Sequence, residues 1–224
     1  MEITLSRKDR ERLHRRNDIL QAAQEVFAEK GYNQATLEQL ALKAEFGKGT
    51  LYNYFPGGKQ EILLSIFEAL YDQLCELIAH TFEKKNGHSF RLQLHQLIEE
   101  MHSFFHKKLD LFVILIREAH RLTSSDDPAP QVFFSQQRNR AIDALAIPIA
   151  RAAKNSEIKF DSPHFLAHMI MVNINGVQMK SCKGMSYDYD DESGPHTSRE
   201  MADFLTTMIL DGLGNPDNAA QTQA

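Results

Sequence analysis

The stretch GKGTLYNYF, from Gly47 to Phe55, carries side chains suited to contact with nucleic acid. It contains no acidic residue, and its pattern predicts a short helix over residues 50–55. Leu51 and Phe55 are four residues apart and share one face, which would anchor such a helix to a small core. The opposite side carries a cation, hydrogen-bonding tips and a glycine that permits close approach: Lys48, Gly49, Tyr52 and Asn53. A DNA major groove requires these properties of a short, exposed helix.

A second set of residues has the chemistry of a metal site. His95, Glu99, His102 and His106 recur at helical spacing, and Glu99 with His102 forms the E-x-x-H pair used in carboxylate metal sites. The stripe lies more than about 90° from the apolar face of the same helix, which favours a solvated or interhelical flank. The alternative is that these four residues bind a metal ion, which would make the chain a helical metalloenzyme or metal sensor. The chain has no nucleophile elbow, glycine-rich phosphate loop or C-x-x-C motif, so we predict no enzyme, no cofactor and no bound metal.

The segment before the first stretch predicts the helix that positions it. In ATLEQLALKAEFG, apolar residues recur at helical spacing, and Thr36 with Gln39 has the arrangement of a capping box. Two short helices joined by a four-residue turn form a helix-turn-helix. After the second helix, PGGKQEI marks a break and the start of a new helix. The pattern therefore predicts a DNA-binding head.

Residues 19–64 resemble the TetR family of bacterial transcriptional regulators. The resemblance is carried by Ile19-Leu20, Ala22-Ala23, Phe27-Ala28-Glu29-Lys30-Gly31-Tyr32, Thr36, Leu40-Ala41, Ala44, Gly49-Thr50-Leu51-Tyr52, Tyr54-Phe55 and Lys59. It implies that Thr36, Tyr52, Tyr54 and Lys59 hold DNA phosphates, and that Lys48, Gly49, Thr50 and Asn53 face the bases. It also implies an all-α fold, with a three-helix head over residues 1–57 and a larger helical ligand-binding and dimerisation domain over residues 58–214. Residues 215–224 are predicted to be a disordered tail.

Three departures from the family pattern fall in or beside the helix-turn-helix. Glu45 stands where the family usually has a glycine, and Gly47 stands where it usually has a serine. A residue other than glycine in a left-handed turn costs about 1 kcal/mol, so either the turn differs or the glycine's role has moved. The segment PGG separates Phe55 from Lys59 by one residue more than usual, and Lys59 would then approach a phosphate by a different path.

Charge is distributed unevenly along the chain. The net charge is −5, but residues 1–60 hold ten basic and eight acidic residues, whereas residues 61–224 hold 15 and 22. Residues 7–16 alone contain six basic and two acidic residues, which indicates either phosphate contact or a solvated helix face. Local charge determines steering towards phosphates, so an acidic body is compatible with DNA binding. The sequence has no apolar run long enough to span a membrane, so we expect no contact with membranes. We interpret Cys75 and Cys182 as reduced thiols, which indicates a cytoplasmic protein.

The remaining sequence predicts only helices, at about residues 58–84, 89–107, 109–122, 131–154, 163–183 and 197–213. By resemblance, these helices enclose a cavity for a small, often apolar inducer. Its candidate lining residues are Phe104, Phe112, Arg117, His120, Asn173, Asn175 and Met179. The last two helices correspond in position to the dimer-forming pair of the family. The sequence thus predicts a homodimeric, ligand-responsive repressor that binds a palindromic operator on double-stranded DNA and is released by an unidentified small molecule.

Overall fold

A computed structural model describes residues 6–83, 87–180 and 195–212 of the chain, with side chains of residues 177–180 excepted. Within these ranges the ordered elements are helices, which confirms the all-α fold class. They are α1 (Arg7–Lys30), α2 (Leu37–Lys43), α3 (Lys48–Tyr54), α4 (Gly58–Thr81), α5 (Phe90–Lys107), α6 (Leu109–Thr123), α7 (Pro128–Lys154), α8 (Pro163–Lys180) and α9 (Ser198–Leu210). No helix in the described ranges combines the length and the hydropathy needed to cross a bilayer. The predicted tail and Cys182 lie outside the described residues.

Two boundaries differ from the sequence prediction. Helix α3 begins at Lys48, two residues earlier than expected, so the lysine belongs to its first turn. Helix α7 begins at Pro128, three residues before its predicted start at about residue 131. Proline is favoured in the first turn of a helix because the amide hydrogen that it lacks has no helical partner there.

The chain divides into two compact units. One comprises residues up to Asp72 together with Asp110–Phe133, and the other comprises Gln73–Leu109 and the residues from Phe134 onwards. The first three helices therefore share their unit with the first part of α4 and most of α6. The side chains that lose all solvent contact in this unit include Ile19, Ala23, Phe27, Leu40, Leu51, Phe55, Ile62, Leu63 and Ile66.

The turn between α2 and α3 contains a residue in the left-handed conformation. Glu45 itself has a φ of 59°, while Gly47 has an ordinary extended conformation and caps α3 without a side-chain hydrogen bond. The Glu45 amide donates to the Leu42 carbonyl at 3.1 Å, and the Phe46 amide donates to the Ala41 carbonyl at 2.9 Å. The glycine role has therefore not moved along the turn; a glutamate occupies the strained position.

The second unit is built around the pairing of α5 with α9. The apolar face of α5 is buried as predicted, including Leu94, Leu97, Ile98, Met101 and Phe105. From α9, Met201 and Leu205 are buried as well. Thr197 and Glu200 form a capping box that fixes the start of α9. Polar contacts line the same pair of helices, because Arg91 pairs with Asp211 and the His95 ring lies 2.8 Å from the Asp203 carboxylate.

Replacing Glu45 with glycine should stabilise the protein by up to about 1 kcal/mol, because glycine adopts a positive φ without the steric cost of a Cβ atom. Urea unfolding measures the change. Glu45→Ala is the matched control, since it removes the same carboxylate but keeps the Cβ atom. Equal stability of the two variants would contradict strain at this turn.

Candidate nucleic-acid interface

Helix α3 is held by one face and open on the other. Leu51 and Phe55 have no solvent-accessible surface, which agrees with their predicted role as anchors. On the open side, the side chains of Lys48, Tyr52 and Asn53 are exposed, as is Gly49. Thr50 and Tyr54 are half-buried. The helix therefore presents a cation, a phenol and an amide beside one another on a rigid support.

Gly49 leaves open space on this surface. A Cβ atom added there would meet no heavy atom within 4 Å, and its φ is not in the left-handed region. Neither internal packing nor backbone conformation therefore requires glycine at this position. The missing side chain favours the close approach of another molecule to the first turn of α3.

Lys48 is paired with an acid in the absence of DNA. Its ammonium group contacts the Glu38 carboxylate of α2, and both side chains are mostly exposed. The hydrogen bond and charge of Glu38 raise the pKa of Lys48, and the same contact lowers the pKa of Glu38. Both groups are therefore charged at neutral pH, and a DNA acceptor would have to compete with Glu38 for the ammonium group.

Thr36 has the role at the start of α2 that its sequence context predicts. Its hydroxyl oxygen accepts from the Gln39 amide at 3.3 Å, and the Gln39 side chain accepts from the Thr36 amide at 3.1 Å. A hydroxyl that accepts this bond still has its own hydrogen to donate. The exposed Thr36 side chain can therefore cap the helix and donate to a phosphate oxygen at the same time.

Lys59 is directed into the protein rather than outwards. Its ammonium group donates to the carbonyls of Tyr32 at 2.8 Å and Ala35 at 3.0 Å, with the Asn33 carbonyl at 3.4 Å. It also lies 4.4 Å from the centre of the Tyr32 ring. Burial lowers the pKa of Lys59 and raises that of Tyr32. Because an ammonium group has three hydrogens, the three carbonyls occupy its donors.

Sequence reasoning did not identify the residues that surround this lysine. The Arg121 guanidinium of α6 lies 5.8 Å from the centre of the same Tyr32 ring and donates to the buried Glu118 carboxylate at 2.7 Å. Two cations thus contact one aromatic ring, and Glu118 raises the Lys59 pKa against the larger effect of burial. Except for the bond between Arg121 and Glu118, these contacts join residues about 60 to 90 positions apart, which helical periodicity cannot reveal.

The predicted inducer residues lie in both units. Phe112 is half-buried on α6, where Arg117 and His120 are exposed. In the other unit, Phe104 is half-buried, Asn175 is exposed and the Asn173 amide donates to the Met169 carbonyl at 2.8 Å. The Met179 side chain is outside the described residues. An open groove of about 520 Å³ contains Phe104 and is otherwise lined by Gln96, Glu99, Glu100, Ser103, Lys107 and Ser198.

The histidine stripe of α5 lies against α9. The His102 ring nitrogen Nδ1 is 3.0 Å from the Ser198 hydroxyl, and its Nε2 is 3.1 Å from Nε2 of His106. Burial and then the neighbouring His106 lower the pKa of His102, which favours its neutral form. Within the described residues, no group of three or more His, Cys, Asp or Glu side chains is arranged to hold a metal ion. The geometry thus favours the interhelical interpretation of this stripe.

Comparison with known proteins identifies the helix-turn-helix. Residues 19–66 match the family model described as "Bacterial regulatory proteins, tetR family". The helix-turn-helix of this chain is thus of the TetR type. An uncharacterized HTH-type transcriptional regulator of Bacillus subtilis, YuxN, is 32% identical over 96 residues, which are 42% of this chain and 31% of that protein. The fatty acid metabolism regulator protein of B. subtilis is 37% identical over 67 residues, 30% of this chain and 34% of that protein.

The structural comparison extends over most of the chain. The TetR-type fold is shared with the transcriptional regulator FadR from B. subtilis in complex with stearoyl-CoA, at a TM-score of 0.69 and 21% identity. That match covers 88% of this chain and 98% of the other. The chain spans about a third of the length of these two curated relatives. All three are named as regulators, and none is named as an enzyme.

Replacing Lys59 with methionine should lower the free energy of unfolding by about 1 to 3 kcal/mol, because three carbonyls are left without a charged donor. Urea unfolding of the purified protein tests this. Lys43→Met is the matched control: it removes the same charge from an exposed lysine that pairs with Glu25 at 2.9 Å, and a much smaller decrease is expected because exposed ion pairs contribute little to stability. If the two variants are destabilised equally, Lys59 does not hold the α1–α2 turn.

Proposed function

We propose that this chain is a ligand-responsive transcriptional regulator that binds a palindromic operator as a homodimer and represses transcription until a small molecule releases it. The observation that carries the proposal is helix α3, with two fully buried anchors and an exposed face of Lys48, Gly49, Tyr52 and Asn53. The packing of the head does not itself require this polar face. The TetR-family match over residues 19–66 supports the same role.

The polar groups divide into two kinds of DNA contact. Thr36, Tyr52 and Tyr54 would donate hydroxyl hydrogens to phosphate oxygens, which fixes the protein on the duplex without reading its sequence. Lys48, Gly49, Thr50 and Asn53 would face base edges, where an amide can pair with adenine and an ammonium group with guanine. Lys59, predicted from the resemblance as a phosphate contact, would act by holding the loop in front of Thr36, since carbonyls occupy its donors.

A dimer would place two copies of α3 on successive turns of the duplex. One helix-turn-helix reads too few base pairs for useful specificity, and two heads set one DNA turn apart overcome this limit. An apolar stripe on α8 supports the proposal: Phe165, Met169 and Val172 follow one another at helical spacing and are 57%, 42% and 49% exposed. Phe204 of α9 is also exposed, whereas Met201 and Leu205 are already buried. The dimer would therefore use mainly α8, with the exposed part of α9.

The ligand would act by stabilising the state that does not bind DNA. Helix α4 begins at Gly58, next to the lysine that holds the α1–α2 turn, and continues unbroken to Thr81. A displacement of α4 would thus change the position of the DNA-binding head. Tenfold release from DNA requires a coupling free energy of only about 1.4 kcal/mol.

The comparisons indicate which class of ligand to examine first. The structure of similar fold contains stearoyl-CoA, and one curated relative is named for fatty acid metabolism. Among the residues that the resemblance suggests for the ligand, Phe104, Phe112 and Met179 are apolar, as an acyl chain requires, and Arg117, His120, Asn173 and Asn175 are polar; they are distributed over both units. A long-chain acyl-CoA is therefore the ligand class that we propose for the body.

Asn53→Ala and Tyr52→Ala should weaken DNA binding in different ways. Removal of the Asn53 amide should change the base preference in a selection from random-sequence duplexes, because it deletes a base-edge contact. Removal of the Tyr52 phenol should weaken binding to all duplexes by a similar factor, because it deletes a phosphate contact. Sequencing of the selected pools and titration of each variant measure both effects.

Leu42→Ala is the control for these variants, since Leu42 is exposed on α2 and has no predicted DNA contact. An unchanged base preference for Asn53→Ala, with equally weakened binding to all sequences, would contradict its base-reading role. Failure of the wild-type protein to enrich any sequence would contradict the proposed function.

A further inference from the structure

The first turns of α1 carry a concentration of positive charge that the proposed contacts of α3 do not use. Residues 7–16 hold six basic and two acidic residues, a net charge of +4 in a chain whose total is −5. Helix α1 already begins at Arg7, where the Ser6 hydroxyl accepts from the Asp9 amide at 3.2 Å. The basic residues are therefore displayed on an ordered helix.

This part of α1 extends beyond the packed core. Residues 7–15 are all exposed, and the first buried residue of the helix is Ile19. At about 1.5 Å per residue, these nine residues project by about 13 Å. We name residues 7–15 the basic extension. Its helical conformation cannot be attributed to burial of an apolar face.

The sign of the charge is unfavourable for the helix itself. The N-terminal end of a helix carries partial positive charge, so acidic side chains stabilise it and basic side chains do not. Asp9 is the acidic residue of the first turn, whereas Arg7, Lys8 and Arg12 add positive charge in the first two turns. Within the part of the chain that the structure describes, these three side chains form no ion pair. Helix stability therefore does not explain these three basic residues.

The base of the extension is fixed beside the recognition helix. Arg16 donates to the Ser65 hydroxyl of α4 at 2.8 Å, and its guanidinium lies 5.1 Å from the centre of the Phe55 ring. Phe55 follows the last residue of α3 and caps the helix. A duplex that accepts α3 in its major groove, about 12 Å wide, has its phosphate strands within the length of the extension. The base of the extension therefore lies beside the C-terminal end of α3.

We propose that the basic extension of α1 binds the phosphate backbone of the duplex next to the half-site that α3 reads. Lys8 and Arg12 lie within about 40° of each other around the helix at 100° per residue, so one strand can contact both. Arg7 adds charge at the tip. This site rests on the proposed function, because it requires DNA to be bound by α3, but it adds a contact outside the helix-turn-helix.

The test compares two triple variants with the same change in net charge. Arg7→Gln/Lys8→Gln/Arg12→Gln neutralises the extension with residues that are good helix formers. Arg138→Gln/Lys154→Gln/Lys159→Gln removes three exposed charges from the other compact unit. Each protein is titrated, over a range of salt concentrations, with a duplex of about 40 base pairs that the wild type has selected from a random pool, and with the same duplex shortened at its flanks.

The extension variant should bind the long duplex at least about tenfold more weakly than wild type at about 0.15 M salt, with a salt dependence shallower by about 0.9 for each phosphate that the variant no longer neutralises. Shortening the flanks should weaken wild-type binding but leave the extension variant unchanged. The control variant should behave as wild type. Circular dichroism and the thermal midpoint should match wild type in both variants.

Two results would overturn the inference in distinguishable ways. If the wild type enriches a sequence but the extension variant has the same affinity, salt dependence and flank dependence, the basic extension does not contact DNA and the proposed function stands. If the control variant binds DNA as weakly as the extension variant, the loss of affinity is due to net charge, and the basic extension has no contact of its own. If the wild type enriches no sequence and binds no duplex, the proposed function fails and the inference fails with it.

Discussion

The burial of Leu51 and Phe55 is the constraint on which the DNA-binding surface depends. A helix of seven residues is not stable alone in water, because nucleation is unfavourable and so few hydrogen bonds do not offset it. Two fully buried apolar side chains contribute about 1.5 to 3 kcal/mol each, which is enough to hold the helix against the core. Since both anchors lie on one face, the polar residues of α3 have only the opposite face to occupy. Packing thus fixes the position of the residues that we propose to read DNA.

Electrostatic contacts around α3 and α4 have two different roles. Lys48 and Glu38 form an exposed pair, which contributes little to stability and can be exchanged for a contact with DNA. Lys59 instead donates to carbonyls within the α1–α2 turn, and its ring partner Tyr32 also contacts Arg121 of α6. A lysine in the second arrangement cannot turn outwards without leaving carbonyls unsatisfied. The two lysines therefore differ in role, although the sequence suggested DNA contact for both.

The spacing of residues within one helix predicted those features that depend on that helix alone. The capping box of Thr36 and Gln39, the anchors of α3 and the apolar face of α5 follow from spacings of three and four residues, and the structure confirms them. The glycine position filled by Glu45 suggested a different turn or a relocated glycine, but Glu45 itself has a positive φ. In contrast, the carbonyl partners of Lys59 and the contact between His95 and Asp203 join residues 24 to 108 positions apart. Such contacts depend on how helices pack, and no periodicity within one helix specifies them.

Binding to the DNA immediately upstream of the chain's own coding region tests the central claim most directly. A labelled fragment would be titrated with the full chain at about 0.15 M salt in the presence of excess random-sequence competitor, because non-specific phosphate contacts are weak under those conditions. A regulator that acts on itself or on a neighbouring gene should give saturable binding that survives the competitor, with two protomers per site. Binding that the competitor abolishes, on this fragment and on sequences selected from a random pool, would contradict the account.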